Sequence, residues 1–141
     1  ANLGHTVPPS VQAAINAQLE AAPYVYSGLA TCEVRGRLAS LLSELTPEGI
    51  TGFLFPTGGG EANEAAVRIA RRFTGRHKII SHYRSYHGGT TSALASTGDF
   101  RTWYGDGGAS GHVKAFGPSP WHFDMGATSE AEEADRALGL L

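Results

Sequence analysis

The sequence predicts an α/β fold with a parallel sheet, on three observations. Helical and strand-like patterns alternate along the chain. A bulky apolar run, Ile50 to Phe55, leads through three consecutive glycines straight into an amphipathic helix. Glycine is abundant at 19 of 141 residues, against a usual share of about 7%, and shows no collagen-like triplet, so it marks tight turns. Apolar residues make up 41% of the chain and charged residues 17%, a balance that supports a buried core and excludes a disordered chain.

The elements follow in order. Pro8-Pro9-Ser10 is a helix start, because Pro fits the first turn and Ser is a capping residue. Val11, Ala14, Ile15, Leu19 and Ala22 then form one face at helical spacing, and Pro23 ends it. Tyr24 to Ala30 has no helical period and reads as an exposed or interface loop. Thr31 is placed to cap a second helix with Val34, Leu38, Leu41, Leu42 and Leu45 on its apolar face, closed by Pro47 and Gly49. Ile50 to Phe55 has the pattern of a strand buried on both faces. After Gly58-Gly59-Gly60, a third helix puts Ala62, Ala65, Ala66, Ile69, Ala70 and Phe73 on one side. Glu64, Arg68 and Arg72 lie on the other, the spacing of a solvated face. Lys78 to Ser81 is a second strand, Thr90 to Thr97 a weaker helix, Gly98 to Gly111 a glycine-rich loop, and His112 to Phe116 a third strand. Ser129 to Leu141 begins a last helix. Strands alternating with helices imply a parallel sheet with helical crossovers.

Composition also excludes functions. A formal charge of −2 offers no basic field for a nucleic-acid backbone. Cys32 stands alone, which excludes an internal disulfide framework or a multi-cysteine zinc site. No apolar run approaches the roughly 18 residues of a membrane span, and residues 1–6 are not expected to be a signal peptide. The expected setting is intracellular, in the cytoplasm, without a membrane or nucleic-acid partner. The chain opens without Met and its last residues run as a helix, so it is expected to be a piece of something longer.

Chemistry is concentrated at two strand ends. A helix N-terminus presents unpaired N–H groups and a partial positive charge, and glycines there let a phosphate approach the backbone. A tight turn that binds nothing accounts equally well for the three glycines. No P-loop and no G-x-G-x-x-G fingerprint is present. The second candidate is Tyr83-Arg84-Ser85-Tyr86-His87-Gly88, which follows a strand where open α/β sheets place ligands. An ordinary surface loop with Tyr86 in the core explains it more readily. His77, His82 and His87 lie five apart and do not share a helix face, so they are poor metal ligands. Asp99, Asp106 and Asp124 have no evident partners, and Trp103, Trp121 and Phe123 read as core or interface anchors.

The run Phe55-Pro56-Thr57-Gly58-Gly59-Gly60-Glu61-Ala62-Asn63-Glu64-Ala65-Ala66, followed by Arg71-Arg72-Phe73-Thr74-Gly75-Arg76, closely resembles class III aminotransferases. These are pyridoxal 5'-phosphate enzymes of fold type I. Lys78-Ile79-Ile80-Ser81, Tyr86-His87-Gly88-Gly89-Thr90 and Thr97-Gly98-Asp99 continue the match. Asn2-Leu3-Gly4-His5 and Tyr24-Val25-Tyr26-Ser27-Gly28 extend it upstream. Arg84 to Gly88 and Arg101-Thr102-Trp103 look most like the branch that handles ω-amino acids such as taurine, β-alanine or 4-aminobutyrate.

The resemblance implies a partial fold-type-I large domain, three-layer α/β/α with a mostly parallel sheet, preceded by an N-terminal helical segment. Residues 1–30 would form that segment and an interface and substrate loop, and residues 31–141 the first part of the cofactor-binding domain. Gly59 and Gly60 would cradle the cofactor phosphate, Tyr86 would stack on its ring with His87 beside it, and Ser27 and Gly28 would line the substrate pocket near a dimer interface. The family usually carries Ser or Thr at the position of Gly60 and often Ser at Gly58. Losing a hydrogen bond to a charged group is worth about 1.5–3 kcal/mol, which implies weaker cofactor retention. Transamination needs a lysine amine. Lys78 and Lys114 are the only lysines, and neither sits in the family's catalytic context. The implied function is a segment of an enzyme that transfers an amino group from an ω-amino acid or amine to a 2-oxo acid. This segment is expected to be inactive alone and completed by a homodimer or by the rest of the enzyme. The alternatives are a non-catalytic phosphate-binding or assembly module, and a truncated product without a function of its own.

Overall fold

The computed structural model describes residues 4–26, 28–105, 109–117, 121 and 123–141. The chain divides into two compact units, Ala1–Phe53 and Leu54–Leu141.

The first unit holds two helices. Helix α1 runs Pro9–Ala21, with Pro in its first turn and a C-terminus closed by the Ala22 N–H on Gln18 O. Helix α2 runs Glu33–Leu45; its N-cap is Cys32 rather than Thr31, and no side chain caps it. Thr46 ends α2, its hydroxyl donating to Leu42 O at 2.8 Å. Neither helix has a buried residue. The apolar faces expected to be core are open, Leu38 being 44% exposed and Leu19 56%. Helical periodicity creates these faces, but their burial requires a covering surface.

In the second unit, α3 (Gly59–Thr74) is followed by β1 (Ile79–His82), α4 (Thr91–Ser96), a 3-10 turn (Phe100–Tyr104), β2 (His112–Ala115) and α5 (Glu130–Leu138). Gly75, in the left-handed region at φ 67°, closes α3 and satisfies its last turn. The strands pair in parallel, in register from Ile79 opposite His112 to His82 opposite Ala115. Helix α4 packs on both strands, on α3 and on the 3-10 turn. Ser129 caps α5 by accepting the Glu132 N–H, while Phe116 stands 5.1 Å edge-on to Phe123.

Several expectations need correction. Ile50 to Phe55 does not form a strand; a strand is defined by its hydrogen-bonded neighbour, and no sheet partner lies against it among the described residues. The apolar side of α3 is open as well, Ile69 being 63% and Phe73 90% exposed, while Ala65 and Val67 are buried. Glu64 does not join a solvated face but turns toward α4, as described below. Asp99 caps the 3-10 turn through the Arg101 N–H and pairs with the Arg101 guanidinium; Asp124 accepts from the Gly126 N–H at 2.7 Å. Asp106 lies outside the described residues. Trp103 and Trp121 are not core. Among the described residues the core is made of small side chains, Ala65, Val67, Ala93, Ala115 and Ala137, and Thr97 is fully buried.

Candidate functional site

The site begins with the start of α3. Gly58 is the N-cap in extended backbone, and no side chain caps the helix. The first intrahelical bond runs from Ala62 N–H to Gly58 O at 3.0 Å, so helix geometry leaves the amides of Gly59, Gly60 and Glu61 without intrahelical partners. A Cβ added at Gly58 or Gly59 would meet nothing within 4 Å. This corner opens into a cleft of about 620 Å³ lined by Thr57 to Glu61, Asn63 and the loop Tyr86 to Thr90. Four of the residues singled out in the sequence, Gly59, Gly60, Tyr86 and His87, therefore share one lining. Gly28 lies in the first unit, where a Cβ would press to 2.7 Å on the Tyr26 ring. Ser27 lies outside the described residues.

The loop is held from several directions. Gly88, the first of its two glycines, sits at φ 131° with no room for a side chain: a Cβ would come to 2.7 Å from Gly60 Cα and 3.1 Å from Ala93 Cβ. Asn63 Nδ2 donates to His87 O at 2.6 Å, and the His87 N–H donates to Thr97 Oγ1 at 3.0 Å. The backbone of Arg84, left-handed at φ 62°, is clasped by Gly98: Arg84 N–H donates to Gly98 O and Gly98 N–H to Ser85 O, both at 2.8 Å. Asp99 holds the guanidinium of Arg101, whose Cζ stands 4.7 Å above the Tyr86 ring centroid, a cation–π contact. Thus the run Thr97-Gly98-Asp99 supports the Tyr86–His87 loop at three successive residues.

Two carboxylates on α3 act near the cleft. Glu61 reaches back to the Thr57 hydroxyl at 2.5 Å and the Thr57 N–H at 2.8 Å, and these bonds hold its pKa below the ordinary value. Glu64 accepts the N–H groups of Ser92 at 2.5 Å and Ala93 at 3.2 Å, satisfying the first turn of α4. Burial alone would raise its pKa, but the bonds from Thr90, Ser92 and Ala93 bring it below the ordinary range.

Residues 1–135 match the profile of the family described as Aminotransferase class-III. The chain belongs to the class-III aminotransferases. A class-III relative, an acetylornithine aminotransferase of Listeria monocytogenes, is 35% identical over 139 residues, covering 99% of this chain and 34% of that protein. Another, from Halalkalibacterium halodurans, is 39% identical over 97 residues, covering 69% of this chain and 24% of the relative. An (S)-enantioselective omega-transaminase from Thermomicrobium roseum superposes with a TM-score of 0.86 at 30% identity, over 97% of this chain and 32% of its own. A taurine:2-oxoglutarate aminotransferase from Bifidobacterium kashiwanohense, solved in complex with PLP and glutamate, gives 0.85 at 31% identity, over 99% and 32%. This class-III chain thus spans about a quarter to a third of the length of the proteins it matches, and its α/β architecture is the corresponding part of the fold-type-I transaminase fold.

Some contributors were not visible as such in the sequence. Asn63, Glu64 and Thr97 act on partners 24, 28 and 10 residues away. For Asn63 and Glu64 the available signal is a polar side chain one turn inside a helix that follows a glycine corner, and Thr97, the C-cap of α4, carries none. Neither lysine lines the glycine cleft. Lys114 Nζ donates to Ser81 Oγ at 3.0 Å and to Ala95 O, and burial pushes its pKa below the ordinary value. Among the described residues no group of three or more His, Cys, Asp or Glu side chains is arranged to hold a metal, and no helix is long and apolar enough to cross a membrane.

Proposed function

We propose that this chain carries the phosphate- and ring-holding part of a pyridoxal 5'-phosphate-dependent aminotransferase, acting on an ω-amino acid or amine of the taurine, β-alanine or 4-aminobutyrate type as donor and a 2-oxo acid as acceptor. The observation that carries this reading is the shared cleft. One lining combines helix-start amides without intrahelical partners, two positions lacking Cβ atoms over open space, and an aromatic side chain. These residues fit the cofactor. Gly59 and Gly60 would receive the phosphate through backbone donors, and Tyr86 would take one face of the ring with His87 beside it. The Glu61 carboxylate opposes a second anion, but its Oε2 is engaged by Thr57. Bound there, the cofactor supplies an electron sink for amino-group transfer.

The relatives' names, covering acetylornithine, taurine and omega-transaminases, support the ω-amino donor. Ser27 and Gly28 belong, in this reading, to the substrate pocket at a subunit interface. Residues 1–30 form the N-terminal and interface segment, and residues 31–141 the first part of the large domain. Lys114 is committed to Ser81 and Ala95, and neither it nor Lys78 lines the glycine cleft, so in this reading the lysine amine required for turnover is supplied from outside these 141 residues. The chain alone is inactive: the rest of the enzyme supplies that amine, and a homodimer is the assembly in which the site is completed.

Calorimetric titration with pyridoxal 5'-phosphate, in competition with inorganic phosphate, tests the site. Reversible binding displaced by phosphate is expected. Gly59→Asp should weaken it by at least about tenfold, since the new carboxylate repels a dianion while fitting a helix start that favours acidic residues. Unchanged affinity in that variant would sink the cradle. Borohydride reduction followed by peptide mass spectrometry tests the missing amine: a stoichiometric adduct on Lys78 or Lys114 would overturn that part.

A further inference from the structure

We infer that Asn63 and Thr97 are positioning residues that hold the ring-binding loop at a set distance from the phosphate cradle, an inference that rests on the cofactor site proposed above. Asn63 lies one turn inside the helix whose first residues form the cradle, and its amide grips the His87 carbonyl at 2.6 Å. Thr97, with no exposed surface, accepts the N–H of the same residue at 3.0 Å, while its hydroxyl donates to Ala93 O at 2.9 Å. The peptide groups on both sides of the His87 Cα are thus fixed, one to α3 and one to the end of α4. Two contacts set the spacing from the other side: Gly88 packs directly on Gly60, and the Thr90 hydroxyl reaches Gly60 O at 3.4 Å.

A ligand with a phosphate and an aromatic ring must satisfy both grips at once, so its affinity depends on their separation. A bare phosphate needs only the cradle. Asn63 and Thr97 touch neither the Gly59 nor the Gly60 amide among their bonds. They act through the Tyr86–His87 backbone, so ring-bearing and ring-free anions should respond differently to their loss.

The test titrates the full chain, unaltered and as Asn63→Ala, Thr97→Val and Thr97→Ser, with pyridoxal 5'-phosphate and separately with inorganic phosphate. The induced circular dichroism of the bound cofactor's aromatic band is recorded alongside. Asn63→Ala and Thr97→Val should lower pyridoxal 5'-phosphate affinity about three- to tenfold, the effect of one lost hydrogen bond, and diminish the induced signal. Inorganic phosphate affinity should stay within about twofold, and Thr97→Ser, which keeps the hydroxyl, should restore both readouts. Equal weakening of the two ligands would mean a merely structural role and overturns the inference, as does no change in either. If Thr97→Val fails to fold, Asn63→Ala, at a partly exposed position, decides alone. An unaltered chain that binds neither ligand overturns the cofactor site together with this inference; one that binds both, with their ratio unmoved in Asn63→Ala, overturns only this inference.

Discussion

Gly88 shows how a single missing methyl group shapes the cleft. At φ 131° it occupies backbone that L side chains rarely adopt, and a Cβ would stand 2.7 Å from Gly60 Cα. Gly88→Ala must therefore part the loop from the start of α3 or strain both, at a cost of about 1–3 kcal/mol by analogy with overpacked cores. Gly36 provides the contrast. It lies inside α2, and a Cβ there meets nothing within 4 Å, so Gly36→Ala should be neutral or stabilise by up to about 1 kcal/mol. Denaturant melts of both variants measure the difference, and equal stability would show that Gly88 is not confined. The role of Gly88 was only partly legible in the sequence. Its place after Tyr86 and His87 marks a loop, whereas its contact with Gly60 depends on a fold that joins residues 28 apart. Asn63 was obscure for the same reason: from spacing alone it is one polar residue on a helix, and its partner is a carbonyl that any residue would supply.

Elements differ in how far they depend on distant chain. Helices α1, α3 and α5 follow their patterns closely, because helical hydrogen bonds are local and their stops are Pro23, Gly75 and Gly139. Strands β1 and β2 match their short apolar runs and find each other in parallel. Ile50 to Phe55 carries an equally strong pattern and forms no strand, since pattern specifies which faces are buried and not which neighbour supplies the ladder. The junction of α3, α4 and β2 adds a titratable link that no local pattern signals. His112 on β2 bonds Ser96 Oγ through Nδ1 at 2.9 Å and meets Arg71 Nη2 through Nε2 at 3.4 Å. A guanidinium only donates, so Nε2 accepts and Nδ1 carries the proton: the ring is neutral. Burial first, then the positive charges of Arg71 and Lys114, press its pKa below the ordinary value of 6.5, while Glu64 pulls the other way and His77 adds to the lowering. Because the unfolded chain binds this proton more readily, the contribution to stability is fully present above the ordinary value. It is lost as pH falls from there through the lower folded value. The melting temperature should fall between about pH 7.5 and about pH 5.5, and more steeply in the unaltered chain than in His112→Asn, which keeps a donor toward Ser96. Parallel curves for the two proteins would remove His112 from the account.

At the scale of the whole molecule, the second unit buries small side chains and leaves large ones outside. Among the described residues its buried apolar side chains are four alanines and a valine, while Phe73, Trp103, Tyr104 and Trp121 are each more than four-fifths exposed. Apolar burial stabilises by about 25 cal/mol per Å², so an alanine core contributes little and the exposed aromatic surface is the larger reserve. The sheet adds to this: with β1 and β2 paired only to each other among the described residues, each strand keeps one unpaired edge, a template for further pairing. Both features favour association, and association that requires the folded state raises stability by mass action. The expected outcome is a light-scattering mass that grows with concentration, together with a melting temperature that rises over the same range. Phe73→Lys and Ile69→Lys place charges on the open face of α3, where both side chains are more than three-fifths exposed. They should therefore lower the mass at a given concentration without lowering the melting temperature of the dilute protein by more than about 2 °C, the scale of a surface substitution. A mass equal to one chain at every concentration would show that exposed aromatic surface and open strand edges do not draw this chain into assembly.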